Sequence, residues 1–279
     1  MRIVFFGAGR YVVPTLEMLK DNYDLALVVT TELGEMQAVP FFCKLYKKDF
    51  ITVSKASDLI SNFQLEGSNA DLGIVANFGV MIPQNILDLF PLGILNIHPS
   101  LLPKYRGPTP GQTAILNNEK ETGVTIMKVD KAMDHGPILA QEKTFILPTD
   151  TAESLYNKLF KQGSSMLGNI LTKYEQGGVL LREQNHDEAT FTQMLKREDG
   201  FINPQNPPQK EELERIARAY YPWPGAWTTA KLVPQGPDKV IKFLPEGKIQ
   251  VEGGKEMPYK DFANGYPLGK QLLSDFHLL

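Results

Sequence analysis

The sequence has little cysteine and no long apolar run. Its single thiol, Cys43, cannot form an internal disulfide and has no second cysteine with which to bind a metal ion. No apolar stretch is long enough to span a bilayer. The apolar N-terminus is interrupted by Gly7, Gly9 and Arg10, which indicates a buried first strand rather than a signal peptide. We therefore expect a cytoplasmic protein without a membrane segment.

The sequence also has no excess of positive charge. Its formal net charge is −3 at pH 7, which argues against a strongly basic nucleic-acid-binding protein. The net charge does not exclude a local basic face, because the distribution of charge matters more than its sum. Hydrophobic residues make up 42% of the chain and charged residues 22%, so the composition indicates a soluble globular protein rather than a disordered one.

Short apolar segments alternate with helical patterns through the first two thirds of the chain. Apolar residues at helical spacing follow Pro14, a residue that the first turn of a helix tolerates. Strands that alternate with helices require crossover connections and therefore a mostly parallel sheet covered on both faces. The sequence thus predicts a Rossmann-like α/β domain whose strands include residues 3–6, 25–29, 72–76, 94–97 and 124–127.

The last part of the chain has a different composition. A long helix with one apolar stripe begins near Asp150 and Glu153, which have capping-box spacing. Beyond it the chain is polar and rich in Asn, Gln and Pro, and then a short helix at 210–220 precedes strand-like runs separated by Pro and Gly. We predict a large α/β domain of residues 1–183, a linker of residues 184–206 and a small β-rich, OB-like domain of residues 207–279.

Asn96 and His98 form the first candidate site. They lie two residues apart at the end of a predicted strand and therefore on the same face of it. In open α/β sheets ligands bind at the carboxyl ends of the strands. Pro99 and Pro103 stiffen the loop that follows, so an amide and an imidazole project together from a rigid support. The alternative is a buried histidine with a satisfied hydrogen bond, beside an Asn96 that caps a turn.

Asp134 is the second candidate. It precedes Gly136-Pro137 in a tight loop, where an aspartate usually bonds to nearby backbone. A carboxylate beside an imidazole instead fixes the orientation of the ring and stabilises its charged form. From the residues alone, the question whether Asp134 reaches His98 stays open.

Two further motifs carry little weight. Gly7-Ala8-Gly9 resembles the start of a dinucleotide-binding turn, but Val12 occupies the third glycine position, so we expect a tight turn only. His98 and His135, together with Asp134, suggest a metal site. The sequence offers these two histidines no third clustered ligand at suitable spacing. We therefore expect no metal.

Residues 96–107, with the sequence Asn-Ile-His-Pro-Ser-Leu-Leu-Pro-Lys-Tyr-Arg-Gly, resemble the formyltransferases that use 10-formyltetrahydrofolate. The segment Glu-Thr-Gly-Val-Thr-Ile-Met at 121–127 is similar to the same family. Arg-Ala-Tyr-Tyr-Pro-Trp-Pro-Gly-Ala-Trp at 218–227 resembles more narrowly the second domain of the methionyl-tRNA formyltransferases. The resemblance spans most of the chain.

This resemblance implies that the chain formylates the free amino group of initiator methionyl-tRNA, a step of translation initiation, with 10-formyltetrahydrofolate as donor. It assigns catalysis to Asn96, His98 and Asp134. The Asn96 amide and protonated His98 would donate to the formyl oxygen, and Asp134 would hold His98 and help to move the proton of the amine. The residues implied to contact the donor are Phe78, Gly79, Val80, Met81, Ile82, Ser100, Leu101, Leu102, Pro103 and Asp130.

One segment departs from the family. The tRNA enzymes carry a basic, glycine-rich loop after the second strand, whereas residues 30–40 here are short, slightly acidic and without Lys or Arg. The nearest positive charges are Lys44, Lys47 and Lys48, which also fit a solvated helix face. The loss of the basic loop keeps open an acceptor such as a nucleotide-linked amino sugar. The motif also keeps open a formyltetrahydrofolate deformylase that uses water, and outside enzymes a degenerate folate- or RNA-binding protein. No membrane or protein partner is implied.

Overall fold

The computed structural model describes residues 1–32, 37–66 and 69–279. Within these residues the chain forms two compact units, each with its own sheet. The first unit comprises residues 1–110, 121–145 and 156–192, and the second comprises residues 111–120, 146–155 and 193–279. No helix in the described part of the chain has both the length and the apolar composition that a membrane crossing requires.

The sheet of the first unit has seven strands: β1 (Arg2–Gly7), β2 (Asp24–Thr30), β3 (Phe50–Thr52), β4 (Leu72–Ala76), β5 (Ile94–His98), β6 (Glu121–Lys128) and β7 (Ile138–Phe145). Their order across the sheet is β3-β2-β1-β4-β5-β6-β7. The pairs from β3 to β5 are parallel, and β6 and β7 are antiparallel to their neighbours. The predicted mostly parallel α/β sheet is confirmed.

Burial explains why these segments are strands. All five residues of β4 are buried, as are all residues of β1 except the first. Parallel strands covered on both faces have this continuous apolar character. Gly73 in β4 leaves room for its neighbour, since a Cβ at this position would lie 2.8 Å from the Ile94 side chain. The strands therefore pack closely where β4 meets β5.

The described helices are α1 (Val13–Asn22), α2 (Ala38–Tyr46), α3 (Ala56–Glu66), α4 (Gln84–Leu87), α5 (Pro110–Leu116), α6 (Ala152–Glu175), α7 (Lys210–Ala219), α8 (Tyr259–Gly265) and α9 (Gly269–Asp275). Pro14 lies in the first turn of α1, where its missing N–H has no helical acceptor. Leu16 and Leu19 of this helix are fully buried. Helix α1 therefore has the start and the apolar face that the sequence predicts.

The second unit contains an antiparallel sheet of four strands: β8 (Ala226–Lys231), β9 (Asp238–Leu244), β10 (Lys248–Val251) and β11 (Glu256–Pro258). Its core joins the sheet to the helices, for example through Phe243 of β9, Leu213 of α7 and Phe262 of α8. The small β-rich part of the chain is confirmed. The likeness to an OB fold and the domain boundaries at 183 and 207 stay predictions.

The start of α6 differs from the prediction by one residue. Thr151 Oγ1 accepts from the Ser154 N–H at 3.1 Å, and Ser154 Oγ accepts from the Thr151 N–H at 3.0 Å. This reciprocal pair is a capping box, so the assignment of the box to Asp150 and Glu153 is wrong. The Asp150 carboxylate accepts from the Leu147 N–H and the Ser154 hydroxyl instead. Both residue pairs have the same spacing, and hydrogen-bond geometry distinguishes them.

We expect Thr151→Ala to lower the free energy of unfolding by about 1 kcal/mol, because alanine cannot accept the Ser154 N–H bond. Thr151→Ser keeps the hydroxyl and is the matched control. Urea denaturation of both variants measures the difference. An alanine variant as stable as the serine variant would contradict the assignment of this cap.

Candidate active site

The chain has a topological switch point between β1 and β4. Strand β1 lies between β2 and β4, so successive connections leave it toward opposite edges of the sheet. Ligands of open α/β sheets bind in the crevice at the carboxyl ends of such strands. The turns after β1 and β4 meet here: the Ala8 N–H donates to the Asn77 carbonyl at 3.2 Å, and Asn77 Nδ2 donates to the Ala8 carbonyl at 2.8 Å.

The Gly7-Ala8-Gly9 turn lies at this crevice. The Glu32 carboxylate accepts from the Gly9 N–H, and it also accepts from the Val39 N–H at the start of α2 at 3.2 Å. A dinucleotide-binding turn directs backbone N–H groups toward phosphate, whereas here an acidic side chain of the protein accepts from them. Gly9 has a φ of +82°, a conformation that favours glycine. The expectation of a tight turn without a dinucleotide fingerprint fits this geometry.

His98 is held by the loop that follows its strand. The imidazole is buried, with 3% of the residue exposed, and Nε2 lies 3.0 Å from the Tyr105 carbonyl oxygen. A carbonyl only accepts, so Nε2 carries the hydrogen. The other ring nitrogen, Nδ1, lies 3.6 Å from Asp134 Oδ2. The Tyr105 carbonyl therefore fixes the ring orientation, and Nδ1 lies near the carboxylate but beyond hydrogen-bond distance from it.

The Asp134 carboxylate joins the candidate residues. Its Oδ1 accepts from Asn96 Nδ2 at 3.2 Å, and its Oδ2 accepts from the Gly107 N–H at 2.7 Å. With Nδ1 of His98 beside Oδ2, one carboxylate faces an amide, an imidazole and a backbone N–H. The question that the sequence leaves open is therefore answered: Asp134 lies beside both Asn96 and His98.

The suggested metal ligands do not converge. His135 Nδ1 lies 2.7 Å from Asp130 Oδ2, and the His135 ring stacks on His186 with centroids 4.0 Å apart. Within the described ranges, no three His, Cys, Asp or Glu side chains are grouped as a metal site. The His135 side chain therefore pairs with Asp130 and stacks on His186, beside the Asp134 loop.

Residues 1–171 match the formyl transferase family. A methionyl-tRNA formyltransferase from Roseiflexus castenholzii is 40% identical over 244 residues, which cover 84% of this chain and 77% of that enzyme. A methionyl-tRNA formyltransferase from Solibacter usitatus is 32% identical over 318 aligned positions, with both chains fully covered. The chain belongs to the formyl transferase family, among the methionyl-tRNA formyltransferases.

The fold of this family member agrees with a solved structure. The methionyl-tRNA formyltransferase of Clostridium thermocellum has a TM-score of 0.61 and 19% identity to this chain, with 92% of this chain and 99% of that one covered. At this identity the likeness concerns the fold alone. The prediction of the family and of its fold class is confirmed.

The segment expected to contact the donor in this formyltransferase follows β4. Phe78, Val80 and Ile82 are half-buried and pack on the apolar core of the first unit, while Gly79 and Met81 are exposed. Phe78 contacts the Phe6 ring edge-on, with centroids 5.7 Å apart. The segment therefore presents apolar side chains and backbone at the carboxyl end of β4.

The second segment expected to contact the donor has two side chains turned inward. Ser100 is fully buried and donates to the Lys104 carbonyl at 2.7 Å, and Leu102 packs with Met127 and Ile138. Leu101 and Pro103 are half-buried. Ser100 and Leu102 therefore support the loop from inside, and Leu101 and Pro103 are the members of the segment with exposed surface.

The Asp130 carboxylate is bound within its own loop. Besides the pair with His135, its Oδ1 accepts from the Ala132 N–H at 2.9 Å. The Asp130 side chain is therefore engaged by its own loop, and a contact of this residue with 10-formyltetrahydrofolate stays a prediction.

Sequence analysis missed the residues that surround this centre. Arg106 is 3% exposed, and burial lowers the pKa of its guanidinium, while Asp134 and Asp130 act in the opposite direction. Gln184 is 6% exposed and bonds to the Arg106 side chain. Gln184 lies in the segment interpreted as a linker, whose polar composition gave no sign of burial. The sequence did contain one indication, which is that the charged residue Arg106 lies in residues 96–107, the segment that resembles the family.

Proposed function

We propose that this protein transfers a formyl group from 10-formyltetrahydrofolate to the free amino group of initiator methionyl-tRNA. The family membership supports the reaction class, and the relatives of 40% and 32% identity support the acceptor, since both are named methionyl-tRNA formyltransferases. The Asp134 carboxylate accepts from Asn96 and lies next to His98. This observation carries the proposal for where the chemistry takes place.

The residues at the crevice fit the donor. The pterin of the donor has a planar pyrimidinone ring, whose faces pack on apolar groups and whose N–H and C=O groups lie at its edge. Phe78, Val80 and Ile82 offer apolar surface beside backbone groups of the same segment. The donor supplies a formyl carbon already bound to nitrogen, so the transfer exchanges one C–N bond for another. We assign its ring to the space between this segment and the loop at 130–134.

Asn96 and His98 stabilise the charge that develops on the formyl oxygen. An amide has two N–H groups, and Asp134 accepts one from Asn96, so we assign the second to this oxygen. Nε2 of His98 is bonded to Tyr105, so its donor to the oxygen is a protonated Nδ1. Donors aimed at a developing oxyanion contribute roughly 3 kcal/mol each.

We assign to Asp134 the removal of the proton from the acceptor amine. The acceptor attacks as a neutral amine and becomes positively charged, so it must lose a proton as the new C–N bond forms. A carboxylate beside the reaction accepts this proton and passes it toward the nitrogen that leaves. The same carboxylate lies beside Nδ1 of His98.

Incubation of the protein with 10-formyltetrahydrofolate and charged initiator tRNA tests the acceptor. We expect formylated methionyl-tRNA, and little product with nucleotide-linked amino sugars or with water. Turnover of an amino sugar without detectable tRNA binding at low salt would contradict the proposal. Release of formate without formylated amine would point to a deformylase instead.

Lys44, Lys47 and Lys48 are the candidate phosphate contacts of the first unit. Lys44 lies in the last turn of α2, and Lys47 has the left-handed conformation that ends it. Residues 33–36 of the non-basic loop before α2 lie outside the described residues. We expect replacement of the three lysines by Ala to weaken tRNA binding and to reduce its salt dependence, by about 0.9 log unit per log of salt for each duplex phosphate that a lysine no longer neutralises.

The control removes equal charge elsewhere in the first unit, by replacement of Lys143, Lys161 and Lys173, which are exposed. Both variants change the net charge by three, so a difference between them reports position. Equal binding curves for the two variants from 50 to 300 mM salt, a range of about sixfold, would show that α2 makes no phosphate contact.

A further inference from the structure

Gln184 is buried between the loop that carries Asp134 and the Arg106 side chain. Its Nε2 donates to the carbonyl oxygens of Asp134 at 2.9 Å and Gly136 at 2.7 Å. Its Oε1 accepts from Arg106 Nε at 3.2 Å and from Nη2 at 2.6 Å. A primary amide has two N–H groups and two lone pairs on oxygen, and all four are used here. The partners also fix which end of the amide is oxygen, because Arg only donates and carbonyls only accept.

The Asp134 loop needs such support. Asp134 has a φ of +48°, in the left-handed region that residues with a side chain adopt only when the surrounding structure holds them there. Gly136 packs so closely on β6 that a Cβ would lie 2.0 Å from the Lys128 carbonyl oxygen. Hydrogen bonds to the carbonyls on both sides of His135 hold this backbone, and with it the direction of the Asp134 side chain.

Arg106 is also linked to the Asp134 carboxylate through the backbone of the residue that follows it. The N–H of the next residue, Gly107, donates to Asp134 Oδ2. The Arg106 backbone pairs with Thr190 and Thr192, through N–H to carbonyl distances of 2.8 and 2.7 Å. Its Nη2 also lies 2.8 Å from His186 Nδ1, which must accept because the guanidinium has only donors. The segment from Gln184 to Thr192 therefore holds both sides of Asp134.

We propose that Gln184 and Arg106 are positioning residues for formyl transfer. They keep the Asp134 carboxylate between Asn96 and His98, and neither is assigned a contact with the reacting atoms. The inference rests on the proposed function, because Asp134 must act in the reaction for its position to matter.

Gln184→Glu tests this assignment. Glutamate keeps the shape and still accepts from Arg106, but it has no N–H for the two loop carbonyls. We expect kcat to fall by about tenfold to a hundredfold, the size of effect that a small displacement of a catalytic group produces. We expect KM for tRNA and donor to stay within about threefold, since neither binding surface is changed.

Gln162→Glu is the matched control. Gln162 Nε2 donates to the Lys143 carbonyl at 3.5 Å and its Oε1 accepts from Thr144, away from Asp134. The same chemical change at this position should leave kcat unchanged. Arg106→Lys provides a second variant that keeps the charge and loses the two-pronged contact with Gln184, and it should also lower kcat about tenfold.

A double-mutant cycle separates positioning from general destabilisation. If Gln184 acts through Asp134, then Gln184→Glu should lower kcat by less than about twofold when Asp134→Asn is already present. Independent losses that multiply would overturn the assignment, as would normal turnover of both Gln184→Glu and Arg106→Lys. Normal turnover of Asp134→Asn alone would overturn the proposed catalytic role, and the positioning role with it.

Discussion

His98→Ala is expected to lower kcat by about a thousandfold and to leave donor affinity within about threefold. The imidazole is fixed by the Tyr105 carbonyl at Nε2, so Nδ1 is the nitrogen assigned to the formyl oxygen. Alanine removes the donor and also the group that the Asp134 charge supports. Both functions concern the transition state, so their loss appears in kcat rather than in binding.

The measurement is single-turnover formylation with saturating donor, with donor binding determined in parallel. His277→Ala is the control, because His277 is exposed in the second unit and lies outside the proposed site. Turnover of His98→Ala within about tenfold of the parent would contradict the assignment, because loss of one oxyanion donor typically costs more. Normal donor binding excludes gross misfolding as the cause of a lost rate.

The centre of the parallel sheet and the pair Asn96 and His98 could be predicted because both follow from local rules. Apolar runs of five or so residues mark buried strands, and alternation along β5 puts the two polar side chains on one face. The rule for carboxyl ends of parallel strands then locates the crevice. Each step uses residues close in sequence, so the sequence alone predicts the buried strands and the position of these two side chains.

The meeting of Asp134 with His98 could not be predicted in the same way. The two residues are separated by all of β6, and β6 runs antiparallel to β5. Asp134 reaches back because its own backbone is left-handed and because Gly136 packs on Lys128. These contacts arise between segments whose spacing carries no periodic signal. The resemblance to the family supplied the pairing that the residues alone left open.

The burial of Gln184 and Thr192, which lie in the predicted linker, could not be predicted for a related reason. Residues 184–192 have no helical or strand period, and polar composition is typical of exposed loops. Here the Gln184 and Thr192 side chains are buried because they satisfy the backbone of two other loops, while residues 185–188 between them are exposed. Burial of a polar side chain is stable when each of its donors and acceptors has a partner. Such partners are visible only once distant segments are brought together, so composition predicts the opposite.

Asp134→Asn is expected to lower kcat by about a thousandfold or more, comparable with loss of the aspartate that orients a catalytic histidine in other enzymes. The carboxylate accepts from Asn96 through Oδ1 and from Gly107 through Oδ2. An asparagine has one oxygen, so one of these N–H donors must face its NH₂ group. The variant also loses the charge beside His98 Nδ1 and the base for the acceptor proton.

Asp150→Asn makes the matched comparison for Asp134→Asn. The Asp150 side chain is buried, while that of Asp134 is 14% exposed, and both carboxylates accept through both oxygens. Asp150 accepts from the Leu147 N–H and the Ser154 hydroxyl at the start of α6. Its replacement should lower stability in urea by roughly 1 kcal/mol while kcat stays within about twofold. The Asp134 variant should show the reverse order, with a large loss of kcat at similar stability. If both variants lose stability and neither loses more than about tenfold in kcat, Asp134 supports the fold of its loop and another group takes the proton of the amine.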